Sequence, residues 1–318
     1  MADPAVLVLT RLDDPTSDEV IAELHRRGIP VVRLDPGDFL TGGIEVSAWY
    51  QNLGQLSGHL ATSSRTLDLT NVRSVYYRRP SPHEPPEVMS DDNARFAVEQ
   101  ARYGLNGLLA SLPNCRYVNH PRHIAHAEFK AVQFATASAV GFQIPATLIT
   151  NRLDDARAFC ADHGPVVYKP LRNTPFTATN GHPVTIWVRP VDPDDLDGSI
   201  TATVHLFQAV VDKVADVRTT VIGDQVFSVR IDSPHLDWRE DYAVLTYRAI
   251  PTPVHTAQAC RAYLRHLGLL YGAFDFGITR DGEWWWYECN PAGQWHWLEA
   301  ETGLPMTAAT ADLLEAIA

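Results

Sequence analysis

Residues 273–290 read AFDFGITRDGEWWWYECN, two strand-like runs either side of Asp281-Gly282. An Asp-Gly pair between such runs is a strong short-range hairpin signal. If these two residues form the turn, Arg280 pairs with Glu283, and counting back along both strands sets Asp275 opposite Glu288. Asn290 lies two residues beyond Glu288 and shares its face. Two carboxylates directly opposite each other cost a sheet roughly 0.2–1 kcal/mol, and a hard divalent cation removes that cost. Magnesium takes oxygen from one or two carboxylates together with substrate phosphates, so Asp275, Glu288 and Asn290 form a candidate magnesium site. The alternative is a solvated acidic face. The neighbouring Phe274, Phe276, Trp284, Trp285, Trp286 and Tyr287 argue for burial, where an unpaired carboxylate pair would be expensive.

Outward from the hairpin, a helix is expected over His255–Leu267, and strands over Val226–Ile231, Asp216–Ile222 and Val204–Val211. Val166–Lys169 reads as a strand running into the polar loop Pro170–Pro183. Thr147–Thr150 is a strand, and Asn151 is placed to cap a helix over Leu153–Asp162. One helix is expected over His123–Val140, stopped by Gly141. Towards the N-terminus, Val6–Leu9, a helix over Asp18–Arg27 and Val31–Leu34 form a strand–helix–strand unit, which implies a parallel pair with a right-handed crossover. It carries no GxGxxG. Residues 44–70 read as short antiparallel strands, Val72–Tyr77 as a strand, and Asp91–Leu112 as a long helix. The fold class is therefore α/β to α+β. The expected domains are 1–119, an N-terminal α/β domain on the substrate side; 120–207, a central subdomain; and 208–318, a C-terminal antiparallel-sheet subdomain with the metal site.

A nucleotide site also needs cations for phosphates. Lys130 sits on the helix after the first domain. Lys169 ends an apolar strand at a loop containing Thr174, Thr177, Thr179, Asn180 and Gly181, whose amides could close over phosphates. Each lysine alone is more often a solvated surface residue, but the chain has few lysines, and Lys169 abuts an apolar strand.

Composition excludes several other classes. Lys and Arg number 26 against 38 Asp and Glu, a formal charge of −12 that disfavours nucleic-acid binding. No apolar run approaches the roughly 18 residues of a membrane span, and Met1–Thr10 lacks the basic start of a signal peptide, so a cytoplasmic location is expected. Cys115, Cys160, Cys260 and Cys289 are widely spaced and read as reduced core thiols. His120, His123 and His126 have near-helical spacing, but their setting favours no transition metal.

Lys130, Lys169, the run Phe207–Val211, Asp275 and Glu288–Pro291 follow one another in an order that resembles the ATP-grasp superfold. More narrowly, the chain resembles the ATP-grasp ribosomal peptide maturases, the graspetide (microviridin-type) synthetases. The stretches concerned are Tyr76–Pro80, Val118–Pro121 with Ala127–Lys130, Asp216-Val217-Arg218, Phe274–Gly277 and Glu288–Trp295, so the likeness spans nearly the whole chain. It implies an ATP-grasp fold with ATP and Mg2+ as cofactors. Lys130 and Lys169 would hold the ATP phosphates, and Gln208, Ala209 and Val211 would belong to the hinge strand against adenine. Asp275, Glu288 and Asn290 would hold magnesium. Arg218 would stabilise the transferring phosphoryl group, assisted by Arg230. Gln208 stands where many ATP-grasp ligases carry an acidic residue.

The implied activity is phosphorylation of Asp or Glu side chains of a ribosomal precursor peptide, followed by ester closure with Thr or Ser, or amide closure with Lys. The implied partner is that peptide, leader plus acidic core, with a homodimer as the assembly weighed. Arg78 and Arg79 end a strand where a proline-rich loop begins, and arginine forks suit carboxylates, so one of them is a candidate guide for the core peptide. The alternatives are an ATP-grasp carboxylate–amine ligase for free amino acids or small peptides, and a non-catalytic peptide-binding protein on a retained fold.

Overall fold

The computed structural model describes residues 3–51, 55–172, 176–177, 181–184 and 186–316. The chain opens with β1 (Ala5–Leu9), α1 (Pro15–Arg26) and β2 (Val31–Leu34). Pro15 starts α1 at its first position, where its missing N–H costs nothing. Next come β3 (Ile44–Tyr50), β4 (Leu56–Thr62), β5 (Thr66–Asp68), β6 (Val72–Tyr77), α2 (Asp91–Leu109) and β7 (Arg116–Val118). β1, β2, β6 and β7 form a parallel sheet in the order β2-β1-β6-β7, and β3–β5 form a separate antiparallel sheet.

The middle of the chain contributes α3 (Pro121–Ala127), α4 (Lys130–Ala139), β8 (Thr147–Thr150), α5 (Leu153–His163) and β9 (Val166–Lys169). The short pieces β10 (Phe176–Thr177), β11 (Pro183–Val184) and β12 (Arg189–Pro190) follow, then β13 (His205–Ala209). A central sheet runs β12-β9-β13-β8. The last part holds β14 (Lys213–Ile222), β15 (Gln225–Asp232), β16 (Thr246–Ile250), α6 (Val254–His266), β17 (Tyr271–Thr279), β18 (Trp284–Asn290), α7 (His296–Thr302) and α8 (Met306–Glu315). Its sheet runs β16-β15-β14-β17-β18, all antiparallel. No described helix is long and apolar enough to cross a membrane.

Three expectations, on a helix, a cap and a hairpin, need correction. The helix expected over His123–Val140 is two helices, because Phe129 is extended (ψ 117) and exposed, and α4 starts afresh at Lys130. The break puts Lys130 in the first turn of α4. The cap of α5 is Arg152 rather than Asn151, and the Arg152 amide is bonded by the Thr150 hydroxyl. The boundary at 207/208 would cut through β13, which pairs with β8 and β9 along its whole length. The boundary at 119/120 assigns α4 to the central part, yet its residues pack into the core of the last sheet with Phe274, Phe276 and Trp286.

The third correction concerns the hairpin. The turn is three residues, Arg280–Gly282, closed by Thr279 against Glu283, with Gly282 at φ 88 supplying the left-handed position. Ile278 then faces Trp284, a register one residue away from the expected one. A bulge between Asp275 and Phe276 restores it, so Asp275 does face Glu288. The bulge, which the turn signal does not reveal, is what pairs the carboxylates. Without it Asp275 would oppose Tyr287.

The two faces of the last sheet do different jobs. Val217, Val221, Phe274 and Phe276 join Cys260, Tyr263 and Leu264 of α6 in one core. The opposite face carries Asp216, Arg218 and Asp275 near the cleft. Further along, Val229, Tyr271 and Ala273 on this face pack with Val6, Val8 and Tyr76 of the first domain. Asn119 ties the two domains together: its buried amide donates to the Tyr271 and Pro291 carbonyls and accepts from Leu270 and Tyr271. All four cysteines are free thiols, three of them buried.

Candidate functional site

Between the central and last sheets lies a cleft of about 430 Å³. Nine of the residues singled out from sequence line it: Lys130, Lys169, Gln208, Ala209, Val211, Arg218, Asp275, Glu288 and Asn290. They arrive from β9, β13, β14, β17, β18, the start of α4 and, for Val211, the link between β13 and β14. Gln133 fixes α4 to β18 by donating to the Cys289 carbonyl and accepting from its amide. That clamp holds Lys130 over the sheet.

At the floor, Glu288 Oε2 accepts from Lys130 Nζ at 2.5 Å. Asp275 Oδ1 accepts from Arg218 Nη1 at 2.8 Å. A single nitrogen, Arg239 Nη2, donates both to Asp275 Oδ2 and, at 2.9 Å, to Glu288 Oε1. The Lys130 charge holds the Glu288 carboxyl well below the usual carboxylate range; burial opposes this and Arg239 adds to it. Burial pushes Asp216 up to about 6, with Lys213, which bonds both its oxygens at 2.6 Å, pulling the other way.

Lys169 donates to Gln208 Oε1 at 2.6 Å and stands over the Tyr287 ring at 4.6 Å. Gln208 in turn donates to the Thr147 hydroxyl, which fixes its amide. A neutral Gln at this position puts no carboxylate in direct contact with Lys169. Desolvation lowers Lys169 to about 8, with Glu288 raising it and Lys130 and Arg239 lowering it further. Thr174, Thr179 and Asn180 of the adjoining loop lie outside the described residues.

Three expected residues are not in the cleft. Arg230 faces Val217 across β14–β15, on the opposite face from Arg218, and pairs with Asp232 at 2.6 Å. The two-residue turn Gly223-Asp224 sets this register and would have shown it. Arg78 follows Tyr76 onto the buried side of β6. Its Nη1 donates to the Gly293 carbonyl at 3.0 Å, and its Nε lies 3.6 Å from Asp14. Burial raises the Asp14 carboxyl, but Arg78 and the Ser17 and Thr10 hydroxyls outweigh it and leave the group lowered. Arg78 is thus a strut between domains. Replacing it by Met strands a buried carboxylate and is expected to cost about 3–5 kcal/mol, read as a lower urea midpoint; an unchanged midpoint contradicts the assignment. Arg79 is half-buried outside the cleft.

Sequence reading missed Arg239, Lys213 and the cleft role of Asp216. Asp216 and Arg218 share a strand face by period two, so Asp216 was legible. Arg239 sits in an aperiodic segment between strands, with no pattern to betray it. The histidine cluster holds carbonyls: His120 bonds Ala110 and His123 bonds Gly268.

As the expected phosphate ligands, Lys130 and Lys169 would each supply a charge-assisted contact worth roughly 1.5–3 kcal/mol. Lys130→Ala and Lys169→Ala are each expected to weaken ATP binding on the order of tenfold or more by calorimetry; unchanged affinity in both contradicts the assignment. Above about pH 8, free Lys169 loses its proton. ATP affinity should therefore fall as pH rises through that value, and this dependence should vanish in Lys169→Ala.

A parallel-sheet domain followed by two antiparallel sheets closing on a lysine-bearing cleft defines the ATP-grasp fold. Residues 5–125 match the family model for the MvdD pre-ATP grasp domain. The chain superposes on a RiPP-associated ATP-grasp ligase of Chryseobacterium gregarium, solved with ADP and a leader and core peptide, with TM-score 0.90 at 24% identity, covering 98% of this chain and 96% of that one. It superposes on the macrocyclase MdnC of Microcystis aeruginosa MRC, bound with precursor peptide MdnA, with TM-score 0.87 at 25% identity over 98% and 99% of the two chains. The macrocyclase MdnB of the same organism gives 0.83 at 27% over 98% and 99%. No curated protein matches the chain. The fold is that of the ATP-grasp peptide macrocyclases.

Proposed function

We propose that this chain is an ATP-dependent ligase that activates Asp or Glu side chains of a ribosomal precursor peptide as acyl phosphates. It then closes ester rings with Thr or Ser, or amide rings with Lys. The observation that carries the reading is the facing pair Asp275 and Glu288 in a cleft where six cations meet five carboxylates (Lys130, Lys169, Arg172, Lys213, Arg218 and Arg239 against Glu128, Asp216, Asp237, Asp275 and Glu288). In a chain of 26 basic and 38 acidic residues, that local excess marks a place for polyanions.

The donor set fits magnesium. Asp275 Oδ2 and Glu288 Oε1 converge on one point, and Asn290 follows on the same face, its Oδ1 accepting from the Ala292 amide. Among the described residues no three His, Cys, Asp or Glu side chains form a cage, which suits a metal that completes its shell with phosphates and water. Bound there, magnesium would neutralise charge on the phosphates. Lys130 and Lys169 would hold the phosphates, and the edge Gln208–Val211 would lie along the base.

Arg218, buried and braced by Asp275, would bind the oxygens of the phosphoryl group as it passes from ATP to the peptide carboxylate. ADP leaves, the hydroxyl or amine attacks the acyl carbon, and phosphate departs. The peptide has then lost one water. The chain supplies positioning and charge, the main contributions available to phosphoryl transfer.

The test is mass spectrometry of a peptide with a leader and an acidic, threonine-bearing core after incubation with ATP and magnesium. Loss of one water per ring is expected. Ligation confined to free amino acids, with no leader binding in the absence of ATP, would overturn the reading.

A further inference from the structure

Arg239 has no part in the chemistry derived so far, yet it occupies the centre of the site. Its Nη2 bridges the two oxygens of the carboxylate pair that face each other. The other two oxygens are already taken: Lys130 holds Glu288 Oε2 and Arg218 holds Asp275 Oδ1. If Arg239 left, two oxygens would open, one from each strand. That is the number of carboxylate ligands magnesium commonly draws from a protein.

A guanidinium nitrogen and a metal ion cannot share this point. We propose that Arg239 is a positioning residue that is exchanged against the divalent cation. It neutralises Asp275 and Glu288 while the metal site is unloaded, and it gives up the pair when the metal nucleotide arrives. The proposal rests on the reading of this pair as metal ligands.

The surroundings suit such an exchange. Arg239 belongs to the connection between β15 and β16, where Trp238–Glu240 and Tyr242–Val244 are single short turns and no strand pairing holds the segment. While it bridges the pair, its guanidinium also has partners outside it. It stacks 4.9 Å from the Trp238 ring centroid, and its Nη1 lies 3.3 Å from the buried Asp237 carboxylate. Leaving the pair therefore does not strand a buried charge. While Arg239 holds the pair, the apparent affinity for a bare cation is reduced by the fraction of time the site is free. Magnesium brought in with phosphates would compensate through its added contacts. The released guanidinium would then stand beside the cleft as a further cation for those phosphates.

Nucleotide-free manganese binding tests this, followed by calorimetry in the parent, Arg239→Met and Arg239→Lys. Arg239→Met is expected to bind Mn2+ about tenfold tighter or more, and Mn2+ to raise its Tm more than the parent's. Arg239→Lys, with one compact ammonium in place of a fork, should fall between them; it also carries the test if the Met variant does not fold. Mn2+ affinity equal to or weaker than the parent's in the folded variants overturns the proposal. Since no nucleotide or peptide is present, failure of the ligase reading would leave this result standing. Mn2+ binding that survives Asp275→Asn in the Arg239→Met background would instead overturn the metal reading itself.

Discussion

Glu288→Gln is expected to lower kcat by on the order of a thousandfold or more while the protein stays folded. The amide keeps the size and most of the hydrogen-bonding capacity of the carboxylate but removes its charge. That charge is fully present at neutral pH, because Lys130 and Arg239 hold the carboxyl far down its titration. The substitution takes the negative charge from one of the two groups that would face a cation and weakens the anchor of Lys130 at 2.5 Å. The Glu288 side chain keeps 32% exposure, so solvent softens the loss of the ion pairs and the stability change should stay within about 1–2 kcal/mol. Single-turnover ADP formation together with circular dichroism would check both halves. Near-parental turnover would remove Glu288 from the metal site.

Arg218→Ala is expected to lower kcat by about two to three orders of magnitude and to change the ATP KM far less. Arg218 is 5% exposed and braced by Asp275. Its place is also kept open by Gly293, where an added Cβ would lie 2.5 Å from Arg218 Nη2. A guanidinium so confined is aimed before substrate arrives, which favours an interaction made mainly in the transition state. Arg218→Lys keeps the charge but loses the fork, so it should recover little. A loss confined to the ATP KM would make Arg218 a ground-state phosphate ligand. Since the substitution also leaves Asp275 with Arg239 alone, a urea titration must accompany the kinetics.

Much of this site could be read from the chain because its residues fall at strand ends and on strand faces. Lys169 closes an apolar strand, and Asp216 and Arg218 alternate with the buried Ala215, Val217 and Thr219. The Asp275–Glu288 pairing is a more instructive case. It was expected from a two-residue turn, whereas the chain makes a three-residue turn and then a bulge, and the two one-residue offsets cancel. Local turn chemistry could not reveal the bulge, which lies four residues from the turn.

Arg239 was illegible for a different reason. A side chain on an irregular connection has no period, and only the tertiary path of the chain brings it onto the carboxylates. Arg78 and Arg230 show the limit of residue type alone. Both are arginines at suggestive places, but strand parity sends one into an interdomain strut and the other to the far face of the sheet. The parallel pairing of β1 with β2 follows from short apolar runs separated by a helix, whereas β7 and the order β2-β1-β6-β7 were not read. Nor was the split between α3 and α4, because Phe129 leaves the helical pattern without a Gly or Pro to announce it.

The most direct test of the central claim follows oxygen atoms. A candidate precursor peptide whose Asp and Glu carboxylates carry heavy oxygen would be incubated with the enzyme, ATP and magnesium, and the released phosphate weighed. Activation as an acyl phosphate predicts one heavy oxygen in the phosphate for every ring closed, with ADP as the nucleotide product. Ring closure accompanied by unlabelled phosphate, or by AMP and pyrophosphate, would contradict it.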